Sequence, residues 1–190
     1  MAVRILLLCF IVISTASPAS ADSVDVGFND DSFQLIYEKG LSQDEYGTSL
    51  LNGRFLYNGD EETKLGSIGL DFVGQPGNIS GLDLGAGAKF YAGNSDPDID
   101  FMNLAIGLRG DYTLPHMRGV GLSARLNYAP KVFSFRDSER LLESRLRVTY
   151  AMLPKVRLYL GYQHIRLDVE DRSGHATIDD SVRIGFIGSF

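Results

Sequence analysis

The sequence predicts an all-β protein: a transmembrane antiparallel up-and-down β-barrel of ten strands that follows a cleaved signal peptide. Three observations lead to this fold class. Apolar and polar residues alternate through most of the chain after residue 21, which is the period of a strand with two different faces. No apolar run in that part approaches the length of a membrane helix. Short and long connections alternate, as turns and loops do in bacterial outer-membrane barrels.

The N-terminal residues have the layout of a secretory signal peptide. A single arginine precedes an apolar run at 5–13, and small residues follow as far as Ala19-Ser20-Ala21. The run is about half as long as the roughly 20 residues of a membrane helix, so a cleaved signal is favoured over an anchor. Cleavage between Ala21 and Asp22 would divide the chain into a signal peptide, 1–21, and a barrel, 22–190.

Composition excludes several classes of protein. The chain has 18 Lys and Arg residues against 24 Asp and Glu residues, a net charge of −6, and no basic cluster, so nucleic acid is not an expected partner. The one cysteine, Cys9, lies inside the apolar run of the signal. The mature chain would therefore carry no disulfide and no thiol site. Its length fits one domain.

Ten segments carry the strand pattern. In the segment at 139–152, Leu146 and Val148 share one face, while Arg145 and Arg147 share the other. If both termini lie in the periplasm, the strand count must be even, and ten satisfies this condition. The predicted strands are 23–29, 32–39, 47–57, 63–73, 81–91, 101–112, 119–129, 139–152, 156–169 and 177–190.

The connections and one phase change complete the pattern. The segments 114–118 and 153–155 are short, whereas 92–100, 130–138 and 171–179 are longer and polar. Within the strand at 156–169 the apolar residues beyond Gln163 change phase, to Ile165, Leu167 and Val169. This slip predicts a β-bulge.

The polar face indicates a membrane barrel more than a soluble barrel or sandwich. A soluble barrel turns large apolar residues inward, whereas here the confined face carries glycines and widely spaced charges. These charges would form either an anion-preferring pore or a closed network of ion pairs. The network is favoured, because about eight strands already leave an interior just filled by side chains. The predicted lumen charges are Arg54, Asp71, Asp83, Lys89, Arg109, Asp111, Arg125, Glu143, Arg145, Arg147 and Arg157.

Candidate chemistry is sparse. His164, Asp168 and Ser173 lie near the outer end of one hairpin and are the best candidates for acid–base chemistry. His116 is predicted in a turn and His175 in an outer loop. The alternate aspartates of 96–100 lack the glycine and closing glutamate of a calcium loop. The sequence therefore predicts no enzyme, no cofactor and no metal site.

The C-terminal strand looks like the sorting signal of outer-membrane barrels. Val182, Ile184, Phe186 and the terminal Phe190 form its apolar face. This resemblance implies recognition by the outer-membrane assembly machinery. In the closed barrel the last strand must pair with the first, since lipid does not tolerate unpaired strand edges.

The last third of the chain resembles the YfaZ family of predicted outer-membrane proteins. The resemblance is carried by Tyr128-Ala129-Pro130, the strand from Glu143 to Tyr150, the turn at Leu153-Pro154, Gly161-Tyr162, Leu167 and the terminal Ser189-Phe190. It implies a barrel in the outer membrane and supplies no activity and no functional residues.

The predicted function is a small integral outer-membrane barrel with a structural or surface-interaction role. A Gram-negative outer membrane, reached through the periplasm, is the expected location. Membrane lipid and lipopolysaccharide are the expected partners, and a monomer is the expected state. A narrow channel for small, anionic solutes and a rim enzyme acting on lipid or peptide are the alternatives.

Overall fold

A computed structural model describes residues 22–77, 79–95, 99–169 and 175–190. The predicted signal peptide, including Ala21, lies outside the described residues, and Asp22 is the first residue described. Within these ranges no helix is long and apolar enough to cross a membrane.

The predicted ten-stranded barrel is confirmed. The chain forms eleven strands in one sheet, and the ten long ones match the ten predicted segments. The short β8 is an addition that pairs with β6. The strands are β1 Ser23–Phe28, β2 Ser32–Gln43, β3 Thr48–Asn58, β4 Thr63–Gly74, β5 Leu82–Ser95, β6 Ile99–Thr113, β7 Val120–Ala129, β8 Ser134–Arg136, β9 Ser138–Leu153, β10 Val156–Val169 and β11 His175–Ser189.

The sheet closes on itself by antiparallel pairing. Each long strand pairs with its neighbour along the chain, and β7 pairs with β9 past the short β8. The last strand pairs with the first, with Ser23 opposite Ser189 and Phe28 opposite Ile184. Closure satisfies the backbone hydrogen bonds of both edge strands, as a lipid environment requires.

The barrel has two ends, which we call the terminal end and the loop end. The first described residue, the C-terminus and the described residues of the connections 44–47, 75–77, 79–81, 114–119 and 154–155 lie at the terminal end. The connections 29–31, 59–62 and 130–137 lie at the loop end.

The outer face is apolar, as the alternation predicts. Ile106 is 63% exposed and Leu146 is 60% exposed, although each lies in the middle of a paired strand. Exposed aromatic residues occur towards both ends, including Phe33 and Tyr128 at one and Phe72 at the other. An apolar belt with aromatic residues at its margins is typical of a barrel that faces lipid.

Three predicted outer loops contain more strand than expected. His175 was expected in a loop but is the first residue of β11. The 130–138 segment contains a 3₁₀ helix, Lys131–Phe133, and β8. The β5–β6 ladder likewise continues to the pair Ser95–Ile99. Strand pairing satisfies the hydrogen bonds of backbone N–H and C=O groups whatever the side chains are. The strands therefore continue into segments whose side chains are polar.

The bulge predicted in the strand at 156–169 is found at that level of the barrel, but its extra residue, Ile178, belongs to the neighbouring β11. A register shift does occur between Ile165 and Arg166 against β11. However, Ile165 and Leu167 are fully buried on the same inward face as Gln163. The inward face stays the same along β10, and the apolar residues appear on it because the lumen itself becomes apolar near the loop end.

Candidate functional site

Apolar side chains fill the loop end of the lumen. Eight strands, β3 to β7 and β9 to β11, contribute these side chains, and most of them are completely inaccessible to solvent. We call this group the loop-end cluster. Its members are Leu56, Leu65, Tyr91, Ile99, Phe101, Ala105, Ala129, Leu141, Ile165, Leu167, Val169 and Ile178.

A buried carboxylate lies directly below this cluster. Glu143 has no exposed surface. Its Oε1 is 2.5 Å from Nη1 of Arg54, its Oε2 accepts a hydrogen bond from Nδ2 of Asn127 at 3.1 Å, and the Tyr91 hydroxyl donates to the same oxygen. These four side chains come from four different strands and cross the lumen. Hydrogen bonds from Tyr91 and Asn127 satisfy the carboxylate, as a buried ion pair requires, whereas Nε and Nη2 of Arg54 have no hydrogen-bond partner among the described residues.

Two arginines closer to the terminal end share a group of carboxylates. Nη2 of Arg125 lies 3.2 Å from Glu38 and 3.1 Å from Asp71. Nη1 of Arg109 lies 3.2 Å from Glu38, and its Nη2 lies 3.1 Å from Asp111. The five charges link β2, β4, β6 and β7 across the lumen. The glycines between them leave room for these side chains: a Cβ at Gly87 would collide with Asp71.

Arg147 of β9 forms a separate pair with a residue of β1. Its Nη1 is 2.5 Å from Oδ2 of Asp25, and its guanidinium stacks 4.1 Å from the centre of the Tyr159 ring. Such stacking on an aromatic face is a common arrangement for arginine.

A further polar group lies at one side of the lumen near the loop end. Asp179 has no exposed surface. It accepts hydrogen bonds from Nη2 of Arg183 at 2.6 Å, from Asn58 at 3.1 Å and from Gln163 at 2.8 Å. The bulge places both Ile178 and Asp179 inside, so one residue joins the apolar cluster and the next joins the polar group.

The remaining predicted lumen charges have no ion pair among the described residues. Arg145 and Lys89 are buried, at 8% and 4% exposed. The Lys89 ammonium lies 5.8 Å from the centre of the Tyr91 ring. Asp83 and Arg157 lie at the terminal mouth of the barrel. The structure therefore brings Arg54, Glu143, Arg109, Arg125, Asp71, Asp111 and Arg147 into ion pairs and leaves these four outside them.

Several lumen charges were missed in the sequence. Asp25, Glu38, Asp179 and Arg183 all point inward and make ion pairs. Asp25 and Glu38 lie on the inward face set by the alternation of β1 and β2, so stricter use of that period would have found them. Asp179 follows a bulge that reverses the local phase, and no signal in the sequence marked it.

A cavity of about 270 Å³ opens at the terminal end of the lumen. We call it the terminal cavity. Its charged lining consists of Asp25, Glu38, Asp83, Arg109, Asp111, Arg125, Arg145, Arg147 and Arg157. It is lined by the terminal halves of the strands, and the Glu143 group and the loop-end cluster lie on its inner side.

The predicted catalytic candidates do not form a constellation. His164 lies on the outward face of β10, with Nδ1 3.7 Å from Oδ2 of Asp180. Asp168 accepts a hydrogen bond from Nε of Arg166 at 3.2 Å instead. Ser173 lies outside the described residues. Among the residues that are described, no group of His, Cys, Asp and Glu is arranged to hold a metal ion.

The C-terminal residues lie on the outside of the barrel. Val182, Ile184, Phe186 and Phe190 are all exposed, Val182 by 58%. The backbone N–H of Phe190 donates to the carbonyl oxygen of Asp22 at 3.0 Å. The last residue is therefore joined to the first described residue at the terminal end.

Solved membrane proteins share this architecture at low sequence identity. One is a structure from "Unveiling the Mechanism Behind the in-meso Crystallization of Membrane Proteins", with a TM-score of 0.50, 9% identity, and coverage of 90% of this chain and 83% of that chain. The outer membrane protease OmpT from Escherichia coli has a TM-score of 0.49 and 10% identity, with coverage of 93% of this chain and 99% of that chain. The KdgM porin has a TM-score of 0.48 and 13% identity, with coverage of 90% of this chain and 99% of that chain. At 9% identity the likeness to the first of these structures concerns the fold alone.

Comparison at the level of sequence identifies the family. No curated protein matches the chain. The sequence model described as YfaZ precursor matches residues 2–190, which is nearly the whole length and includes the segments that carried the resemblance above. The fold and this match agree on an outer-membrane β-barrel, and the chain belongs to the YfaZ family.

Proposed function

We propose that this outer-membrane barrel has a structural or surface-interaction role and that its lumen is closed. The observation that carries the proposal is that two layers of side chains block the lumen, one beneath the other. The loop-end cluster fills one end with apolar side chains, and the Glu143 group spans the lumen beneath it.

These layers oppose passage of solutes for different physical reasons. A hydrated solute would have to separate Arg54 from Glu143. This would leave two buried charges without their counter-charges, at a cost of several kcal/mol. It would then have to displace side chains packed as tightly as a protein core. A narrow channel for small anions, the alternative, would need both layers to move.

Planar bilayer recording tests this proposal directly. Purified, membrane-assembled protein should give no steady open-channel current, because an aqueous path would require both the loop-end cluster and the Glu143 group to move. A known porin added to the same bilayer serves as the positive control. Steady currents of porin size would contradict the proposal, and small anion-selective currents would favour the narrow channel.

Catalysis is not part of the proposed function. His164 and Asp168 face outward on β10 and have different partners, Asp180 and Arg166. The rim-enzyme alternative therefore has no pair of side chains in contact among the described residues.

We further propose that the final strand directs assembly into the outer membrane after residues 1–21 are removed. Its apolar residues face outward, where a binding partner has access to them before the barrel closes. Deleting Phe190 should lower the yield of assembled barrel several-fold, whereas Ser189→Ala, an inward-facing control, should leave it unchanged. The measurement is outer-membrane yield together with heat-modifiable gel mobility. Normal assembly without Phe190 would contradict this role.

A further inference from the structure

Three arginines stand side by side in the lumen. Arg109, Arg125 and Arg145 are direct cross-strand partners on β6, β7 and β9, and all face inward. We call them the arginine row. Like charges in directly opposite positions of a sheet repel each other. The row therefore needs counter-charges, and Glu38 and Asp71 supply them to Arg109 and Arg125.

The third member of the row has no such partner. Arg145 is 8% exposed and makes no ion pair with any acidic residue that the structure describes. Its Nη1 is buried and has no hydrogen-bond partner. A buried cation without a counter-charge is expensive, because it has lost its water without gaining a partner. Arg54, five strands away around the sheet, has in Glu143 the counter-charge that Arg145 lacks.

The environment of Arg145 has room for a ligand. Arg145 lines the terminal cavity of about 270 Å³, which is open at the terminal mouth. Since one liquid water occupies about 30 Å³, this volume accommodates a small anion with a few waters. The hydroxyl-bearing residues Ser123 and Thr149 line the same cavity and supply hydrogen-bond donors of the kind that anion sites use.

The charge of the lining sets a limit on the ligand. The lining includes five arginines and four acidic residues, and Asp71, outside the lining, also pairs with Arg109 and Arg125, so the positive charge left for a ligand is small. Asp83 and Asp111 are direct cross-strand partners near the mouth and would repel a multiply charged anion on entry. The balance fits one singly charged ligand.

We propose that the terminal cavity binds a small, singly charged oxyanion, a carboxylate or a dihydrogen phosphate group, on the Arg145 guanidinium. The planar fork of arginine matches the two oxygens of such a group. The bound anion supplies the missing counter-charge and reduces the repulsion along the arginine row. This inference goes beyond the closed structural barrel and does not depend on conductance.

The first experiment is a titration of the purified, detergent-extracted protein. Acetate and inorganic phosphate are added in separate arms, with ionic strength held constant by chloride, and the unfolding midpoint and the arginine Nε–H NMR signals are recorded. We expect a saturable rise in the midpoint and a saturable shift of the Arg145 signal with at least one oxyanion, but not with chloride. The two arms distinguish carboxylate from phosphate ligands.

The second experiment compares two variants. Arg145→Gln should weaken binding about tenfold or more, which corresponds to the loss of a charge-assisted hydrogen bond. Without oxyanion, Arg145→Gln should unfold at the same or a higher midpoint than the wild type, because it removes an unpaired buried charge. Arg118→Gln is the matched control: Arg118 is exposed in a turn at the same end and does not line the cavity, so its affinity should stay within about twofold of wild type.

Two results would overturn the proposal. One is the absence of any saturable response of the wild type to either oxyanion. The other is an Arg145→Gln variant that binds with wild-type affinity. If Arg145→Gln does not fold, Arg145→Lys replaces it, since lysine keeps the charge but lacks the planar fork of arginine. The NMR signal of Arg145 in the wild type still decides between binding and no binding.

Discussion

The two halves of the lumen are built differently although the same strands form both. Near the loop end, inward positions carry residues such as Leu141, Ile165 and Leu167, which are fully buried. Two to six residues beyond Leu141 on β9, the same face carries Glu143, Arg145 and Arg147. One face of a single strand thus changes from an apolar core to a charged cavity.

This difference separates two problems that one lumen must solve. The outer belt contacts lipid, and this contact constrains only the outward-facing side chains. The inward-facing side chains can therefore be polar or apolar. An apolar end buries its surface from water and closes the barrel. A charged end stays in contact with water through the terminal cavity, and its charges are balanced by cross-lumen pairs. The Glu143 group lies where the two halves meet.

Removing the charge at this boundary should have the largest effect. Glu143→Gln keeps the shape of the side chain but leaves Arg54 buried without a counter-charge. We expect the free energy of unfolding to fall by about 3–5 kcal/mol, the usual cost of breaking one side of a buried pair. Denaturant unfolding of the barrel in lipid vesicles measures it.

Two controls accompany Glu143→Gln. Arg157→Gln removes a charge at the exposed terminal mouth, where no ion pair is described, and should change the unfolding free energy by no more than about 0.5 kcal/mol. The double variant Arg54→Gln/Glu143→Gln should recover part of the loss, because no unpaired charge remains. An unchanged midpoint for Glu143→Gln would place Glu143 outside any stabilising network.

Most of the fold was predictable because its signal is periodic. The alternation of residues such as Leu146 and Arg147 fixed which face met lipid and which met the lumen, and it set the strand count. Strand ends were less predictable. Ser95 and Ile99 pair beyond the apolar belt, where backbone hydrogen bonding continues without any pattern in the side chains.

The site was predictable only in part. Inward arginines such as Arg54 and Arg125 could be assigned to the lumen, because they alternate with small or apolar residues that face lipid. Their partners could not, since pairs such as Arg54–Glu143 join residues far apart in the chain. The apolar loop end was misinterpreted at Ile165, because an apolar residue on the inward face of a membrane barrel has the same sequence signature as a bulge.

Creating a cavity in the loop-end cluster should lower the free energy of unfolding as much as it does in a protein core. A similar truncation in the lipid-facing belt should cost less. Leu167→Ala removes three carbons from a fully buried position, and surrounding strands cannot collapse onto the space, so we expect a loss of about 2–4 kcal/mol. Leu160→Ala is the matched control on the same strand: Leu160 is 55% exposed on the outer face, where lipid chains fill the space left behind. Its cost should be limited to the transfer of the lost carbons, about 1–2 kcal/mol. Unfolding in lipid vesicles measures both variants. If Leu167→Ala costs no more than Leu160→Ala, the loop end is loosely filled, and the contrast between a core-like half and a hydrated half of the lumen is wrong.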